Sequence, residues 1–308
     1  MAGVLHNVNQ RTQMVGQNRL ELLLFRLSGK QIYGINVFKV REVLQCPKLT
    51  QLPKSNPNVR GVAHIRGETV SVIDLSMAIG GAPLQNLSNR FVVISEYNRS
   101  VQAFLVSGVE RIVNMSWGDI HPPPSGAGKD NYLTAVSEFE KELIEIIDVE
   151  KVLSEIVPVS TQVSEDIIQQ QHIPPQDKLV LIADDSAVAR NQVKRTIEQL
   201  GLKTHIVKDG RESINYLKSF AAEGKDANDE ILLVISDIEM PEMDGYTFTA
   251  EVRAIPELAD LHIILHTSLS GVFNKAMVEK VGANKFLAKF DPDELAKTVG
   301  EVISSMSE

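Results

Sequence analysis

The sequence predicts two domains of different class: an all-β unit of small antiparallel barrels, then an α/β unit built on a five-stranded, parallel, doubly wound sheet. Three observations carry this. The chain has 308 residues, room for two ordinary domains. Residues 20–157 run as short apolar stretches between turn signals, and several alternate in and out with the β period. From Lys178 the rhythm changes to apolar runs separated by helix-length segments, the pattern of a parallel sheet covered on both faces.

Residues 1–18 are polar and read as an N-terminal extension. The β unit, residues 19–157, contains the runs LELLLFRL, IYGINV, TVSVIDL, RFVVISEY, VQAFLVSGV and LIEIIDV. Strands at this spacing suit antiparallel barrels rather than βαβ units. Two short helices are expected, FKVREVL before Pro47 and VEKVLSEI at the end. Residues 158–177 carry Pro158, Pro174, Pro175 and a Gln run, and read as a linker with room for a helical turn or two over Val163 to Gln171.

The α/β unit, residues 178–308, opens on the strand LVLIA (179–183) and a helix from Ala187 to Leu200, stopped by Gly201. THIV (204–207) is followed by a helix from Arg211 to Phe220, and ILLVIS (231–236) by a helix from Gly245 to Ala254. HIILHT (262–267) leads to a helix over 272–281, and KFLAK (285–289) to the closing helix, with Pro292 in its first turn. The segment 221–230 reads as a polar loop.

Composition bounds the function. Hydrophobic residues make up 43% and charged residues 23%, the balance of a soluble globular protein. Cys46 is the sole cysteine, so it forms no internal disulfide, and a partly buried small apolar role is expected of it. The start of the chain lacks a signal-peptide core and no apolar run approaches a membrane span, so the expected location is the cytoplasm. Residues 1–170 carry 16 Lys+Arg against 17 Asp+Glu, and residues 171–308 carry 15 against 23. The acidic second half argues against nucleic-acid binding, which begins with a basic face.

In a parallel α/β sheet the active groups gather at the carboxyl ends of the strands. Here those ends bring together Asp184 and Asp185, Asp237, the trio His266-Thr267-Ser268, and Lys289. Three close carboxylates repel one another and favour a cation, and hard oxygen ligands suit Mg²⁺. Such a metal offsets the charge of a phosphoryl group on one carboxylate. An ammonium and a hydroxyl can then hold the remaining phosphoryl oxygens. Each piece alone has an ordinary explanation, as an N-cap, a solvated charge or a β-former. Their coincidence at the ends of the right strands is what points to a site.

Residues 178–308 resemble the response-regulator receiver family throughout, through KLVLIADDS, VISDIEMPEMDG, LHTS and KFLAKF. The resemblance implies a flavodoxin-like fold, Asp237 as phosphoacceptor, and Mg²⁺ held by Asp185, Asp237 and the backbone carbonyl of Glu239, with Asp184 acting through water. It further implies that Thr267 and Lys289 bind the phosphoryl group and that Phe286 occupies an aromatic switch position. Two departures stand out. Phe290 replaces a Pro common after the lysine, and a non-Pro cis bond costs about 2.5–4 kcal/mol. Phe286 lacks a hydroxyl, so a switch there works by packing alone.

The β unit shows no convergent acid–base set: His64 and His121 are single, and Asp74 ends an apolar strand. It resembles the CheW-like adaptor domain, a pair of small β-barrels, through IYGINVFKVREVL, LPKSNPNVRGVAHIRGETVSVIDL, VSGVERIV and LIEIIDVEKVL. That resemblance implies docking to the regulatory domain of the chemotaxis histidine kinase and to chemoreceptor cytoplasmic tips. Arg66 and Glu42 match functional positions, and read either as an ion pair shaping that surface or as two independent surface charges. Val37 and Val40 read as core or as apolar partner surface.

The order of the two domains resembles the CheV family of chemotaxis coupling proteins. It implies a non-enzymatic adaptor, recruited to membrane receptor arrays and tuned by phosphorylation at Asp237 through a population shift. Alternatives are a phosphate sink that drains the kinase and an Asp/Mg²⁺ phosphatase. The phosphatase is disfavoured because Glu239 stands where that chemistry wants a second Asp.

Overall fold

The computed structural model describes residues 19–97, 100–124, 132–157, 162–171, 177–267, 279–289 and 291–306. The chain divides into two compact units that meet in sequence at Pro158 and Val159.

In chain order the first unit runs β1 (Arg19–Arg26), β2 (Ile32–Asn36), β3 (Glu42–Gln45), β4 (Val59–Ile65), β5 (Glu68–Asp74), α1 (Leu75–Ala78), β6 (Phe91–Tyr97), β7 (Ser100–Val106), β8 (Gly108–Ser116), β9 (Ile120–His121), β10 (Leu133–Phe139), β11 (Glu142–Ile147) and α2 (Val149–Ile156). Two sheets result, ordered β8-β1-β2-β11-β10-β9 and β3-β6-β7-β5-β4. β1 explains its own place: Leu20, Leu22 and Leu24 enter one barrel core, while Leu23 and Phe25 on the opposite face are buried too. The second sheet closes on itself where Thr50 and Val62 exchange backbone hydrogen bonds of 2.9 and 2.8 Å. Gly61, at φ 143°, permits that closure, because a Cβ there would lie 2.5 Å from the Thr50 carbonyl oxygen.

Two expectations need correction here. FKVREVL is not a helix: a 3₁₀ turn over Val37–Lys39 gives way to β3. The apolar spacing of this short run suits either form, and pairing of Glu42–Gln45 with Phe91–Ile94 decides for the strand. Nor are the sheets wholly antiparallel, since β2 pairs with β11 and β5 with β7 in parallel. Strands distant in sequence there become neighbours running the same way.

The second unit runs α3 (Glu165–Gln171), β12 (Leu179–Ala183), α4 (Ala187–Gln199), β13 (Lys203–Val207), α5 (Gly210–Ala222), α6 (Ala227–Glu230), β14 (Ile231–Asp237), α7 (Gly245–Ala254), β15 (Ile263–Thr267), β16 (Lys285–Ala288) and α8 (Pro292–Met306). The sheet order β13-β12-β14-β15-β16 is parallel throughout. β14 is buried along its whole length, as its unbroken apolar run requires between two helix layers. The supposed loop 221–230 is partly helical: Asp226 caps α6 through its side chain. The helix expected over 272–281 lies, except for its last positions, outside the described residues.

The stretch read as a linker is also structured in part. Val163 and Ile167 are buried in the same cluster as Val193 and Ile197 of α4 and Leu295 and Val299 of α8. Each such burial contributes about 1.5–3 kcal/mol. The helical turns expected over Val163 to Gln171 are present as α3 (Glu165–Gln171).

Candidate functional site

The carboxyl edge of the parallel sheet assembles the groups that the sequence singled out. Asp184, Asp185 and Asp237 each offer an oxygen, and these oxygens lie within 4.8 Å of one another. Asp184 and Asp237 are buried and Asp185 is half-buried. Lys289 reaches this cluster from the end of β16. Its Nζ lies 2.6 Å from Asp184 Oδ2 and 2.8 Å from Asp237 Oδ2, and the residue is 1% exposed. A buried ammonium is tolerable only with such partners.

Local structure fixes each carboxylate. Asp184 Oδ1 accepts the Ser186 N–H at 2.9 Å, just before Ser186 caps α4. The guanidinium of Arg190 donates to the Asp184 carbonyl. Asp237 Oδ1 accepts the Ile238 N–H at 2.7 Å, which leaves Oδ2 toward Lys289. The chain then turns through residues 238–244, and Asp244 caps α7 by accepting from the Thr247 N–H and hydroxyl. Gly245 makes this turn possible, because a Cβ there would stand 2.2 Å from the Asp237 carbonyl oxygen. Thr267 is fully buried at the end of β15, and its carbonyl accepts the Lys289 N–H at 2.8 Å.

Glu239 lies half-buried in the turn after β14. Its carboxylate acts on Tyr246: burial first, then Asp244 and Glu239, push the Tyr246 hydroxyl well above its ordinary range. Phe286 is half-buried against the core on one side of the sheet. Phe290 lies outside the described residues. The donor set fits a hard divalent cation: all three side chains offer carboxylate oxygens, and the lysine already offsets part of their charge.

In the first unit, Arg66 and Glu42 form a bidentate pair. Arg66 Nε lies 2.7 and 2.9 Å from the two Glu42 oxygens, and Nη2 lies 2.7 Å from Oε2. Arg66 sits at φ 49° beside Gly67 in the tight turn from β4 to β5, so the turn aims the guanidinium at β3. The pair is open to solvent, with the Arg66 side chain 77% exposed. The guanidinium bonds hold the Glu42 carboxyl below its ordinary range. His64 and His121 are exposed, and Val37 and Val40 are half-buried. Cys46 is buried and burial raises its thiol, in keeping with a packing role.

Sequence reasoning missed the work of Asp74. Its carboxylate is wholly buried and accepts from Arg60 Nη1 at 2.7 Å, Leu84 N at 2.9 Å and Met77 N at 3.3 Å. It pins the segment 75–84 to the sheet. An Asp closing an apolar strand was the available signal, and Arg60, fourteen positions away on β4, was its unread partner.

Two family models match the chain in tandem. The CheW-like domain matches residues 21–157, and the response regulator receiver domain matches residues 180–300. The chemotaxis protein CheV3 of Helicobacter pylori is 30% identical over 302 residues, spanning 93% of this chain and 95% of that protein. The chain belongs to the CheV family of chemotaxis proteins. CheV2 of the same organism is 24% identical over 318 residues, covering 98% of this chain and all of its own length at 100%. The chemotaxis protein CheW of Klebsiella aerogenes is 28% identical over 152 residues, 49% of this chain and 89% of its own. The CheV family thus joins in one chain a domain that occurs alone in CheW and a receiver. No helix among the described residues is long and apolar enough to cross a membrane.

Proposed function

We propose that this CheV protein is a cytoplasmic adaptor that couples chemoreceptor tips to the chemotaxis histidine kinase, and that phosphorylation of Asp237 tunes the coupling. The observation that carries this reading is the Lys289 clamp. One buried ammonium bridges two carboxylates at 2.6 and 2.8 Å with a third within reach, in a unit joined to a CheW-like domain.

In this reading Asp237 Oδ2 attacks the phosphorus of a phosphohistidine on the kinase. The P–N bond breaks, an acyl phosphate forms, and the proton that neutralises the departing imidazole comes from solvent. The Ile238 N–H holds Oδ1 and so orients the attacking oxygen. Asp185, Asp237 and the Glu239 carbonyl would hold Mg²⁺, with Asp184 acting through water, and the metal would offset the phosphoryl charge. Lys289 and the Thr267 hydroxyl hold further phosphoryl oxygens, and Phe286 follows their movement by packing. The Arg66–Glu42 pair shapes the partner-facing surface of the first unit. Phosphoryl exchange is regulatory here, with no turnover of a separate substrate.

Incubating the full chain with the phosphorylated kinase and Mg²⁺ tests this. The expected result is transfer of one phosphoryl group to the wild type and none to Asp237→Asn, read by intact mass. Equal labelling of the variant would remove Asp237 from its assigned role.

A further inference from the structure

Segment 162–167, at the start of the second unit, does not lie free. It occupies an apolar groove between α4 and α8, with Val163 and Ile167 inserted among Val193, Ile197, Leu295 and Val299. Polar contacts fix its register. The Val163 N–H donates to Gln199 Oε1 at 3.0 Å. Ser164 is held twice by one carboxylate: its N–H by Asp293 Oδ1 at 2.7 Å and its hydroxyl by Asp293 Oδ2 at 2.6 Å. These bonds keep the Asp293 carboxyl below its ordinary range, so the seat is ionised near neutral pH.

The groove is wired to the phosphorylation site by a short piece of chain. Asp293 stands four residues after Lys289, in the first turn of α8. Asp291 caps that turn by accepting the N–H groups of Asp293 and Glu294, both at 3.1 Å. Leu287, two residues before Lys289, lies in the same apolar cluster as Val163 and Ile167. A displacement of Lys289 therefore acts on the strap through packing and through its hydrogen-bonded seat.

We infer that residues 162–171 are a strap whose docking on α4 and α8 is released by phosphorylation at Asp237. The inference rests on Asp237 being the phosphoacceptor. A phosphoryl group adds anionic oxygens beside Asp237 and draws Lys289 away from Asp184. The β16–α8 connection follows, and the Asp293 seat is sensitive to small shifts because hydrogen bonds weaken steeply with distance and angle. Release detaches residues 162–171 from α4 and α8 and so adds this segment to the tether between the units. A longer tether lowers the effective concentration of one unit at a partner bound by the other.

Hydrogen exchange on the full chain tests this, with acetyl phosphate as donor and Mg²⁺ present, and with intact mass recording phosphorylation in the same samples. The strap should be protected in the unmodified protein and exchange severalfold faster once the mass rises by one phosphoryl group. Asp237→Asn should stay protected. Asp293→Ala should exchange fast without donor while still gaining the phosphoryl mass. Ile167→Ala, which keeps the seat but trims the anchor, should fall between the two. A phosphorylated wild type with unchanged or slower exchange at 162–171 would overturn the strap alone. An unmodified protein whose strap is already unprotected would do the same. No mass gain would overturn both the strap and the phosphoacceptor assignment.

Discussion

The two units use charge in opposite ways. In the receiver, one ammonium is sealed among carboxylates at 1% exposure. In the CheW-like unit, the guanidinium of Arg66 meets Glu42 in the open at 77% exposure. A buried cluster is costly unless complete, so it stores chemistry: any added charge must redistribute the partners already there. An exposed pair contributes little energy and instead presents a shaped surface. The first arrangement suits a group that receives a phosphoryl, the second a face that meets another protein.

Substitutions can break this contrast, beginning with the largest effect. Lys289→Met leaves two buried carboxylates facing each other, and a loss of about 3–5 kcal/mol is expected in urea unfolding without metal. Mg²⁺ should restore part of that loss in the variant. Gly245→Ala forces a Cβ against the Asp237 carbonyl, 2.2 Å away. Overpacking of this kind costs about 1–3 kcal/mol, and slower phosphorylation by small-molecule donor should accompany it.

In the first unit, Asp74→Ala strips the acceptor from Arg60, Leu84 and Met77. Donors left without their buried acceptor cost about 1–3 kcal/mol, so the melting temperature should fall. Amide exchange should rise selectively over 75–84. Arg66→Ala is the smallest expected change in stability, because the pair is open to solvent, yet it should weaken partner binding measured by titration. Its pH dependence has a definite sign. Glu42 has a depressed folded-state pKa, so the pair's contribution is present above the ordinary Glu range and disappears only as pH falls through the lower folded value. Wild type and Arg66→Ala should therefore converge in unfolding stability only in acid.

The receiver was legible in the sequence almost element by element, because parallel strands are continuous apolar runs and their carboxyl ends meet whatever their order in the chain. Asp184, Asp237 and Lys289 were found that way, far apart in sequence. The first unit was harder. Edge strand β3 carries an apolar spacing that serves a helix equally well, and only its ladder with β6 distinguishes them. The parallel pairs β2·β11 and β5·β7 depend on strands brought together from distant parts of the chain. Asp74 gave no sign of its partner on another strand. The helical turns of the strap were readable, but the groove that receives Val163 and Ile167 was not, because it exists only where α4 and α8 pack together.

A phosphoryl group on the receiver should alter what the CheW-like unit does for its partners. The direct measurement is kinase activity in a reconstituted assembly of receptor, kinase and this protein, with and without phosphodonor, for wild type and Asp237→Ala. The account predicts that donor changes kinase output with the wild type and leaves it unchanged with Asp237→Ala. The same donor response from both proteins would contradict it.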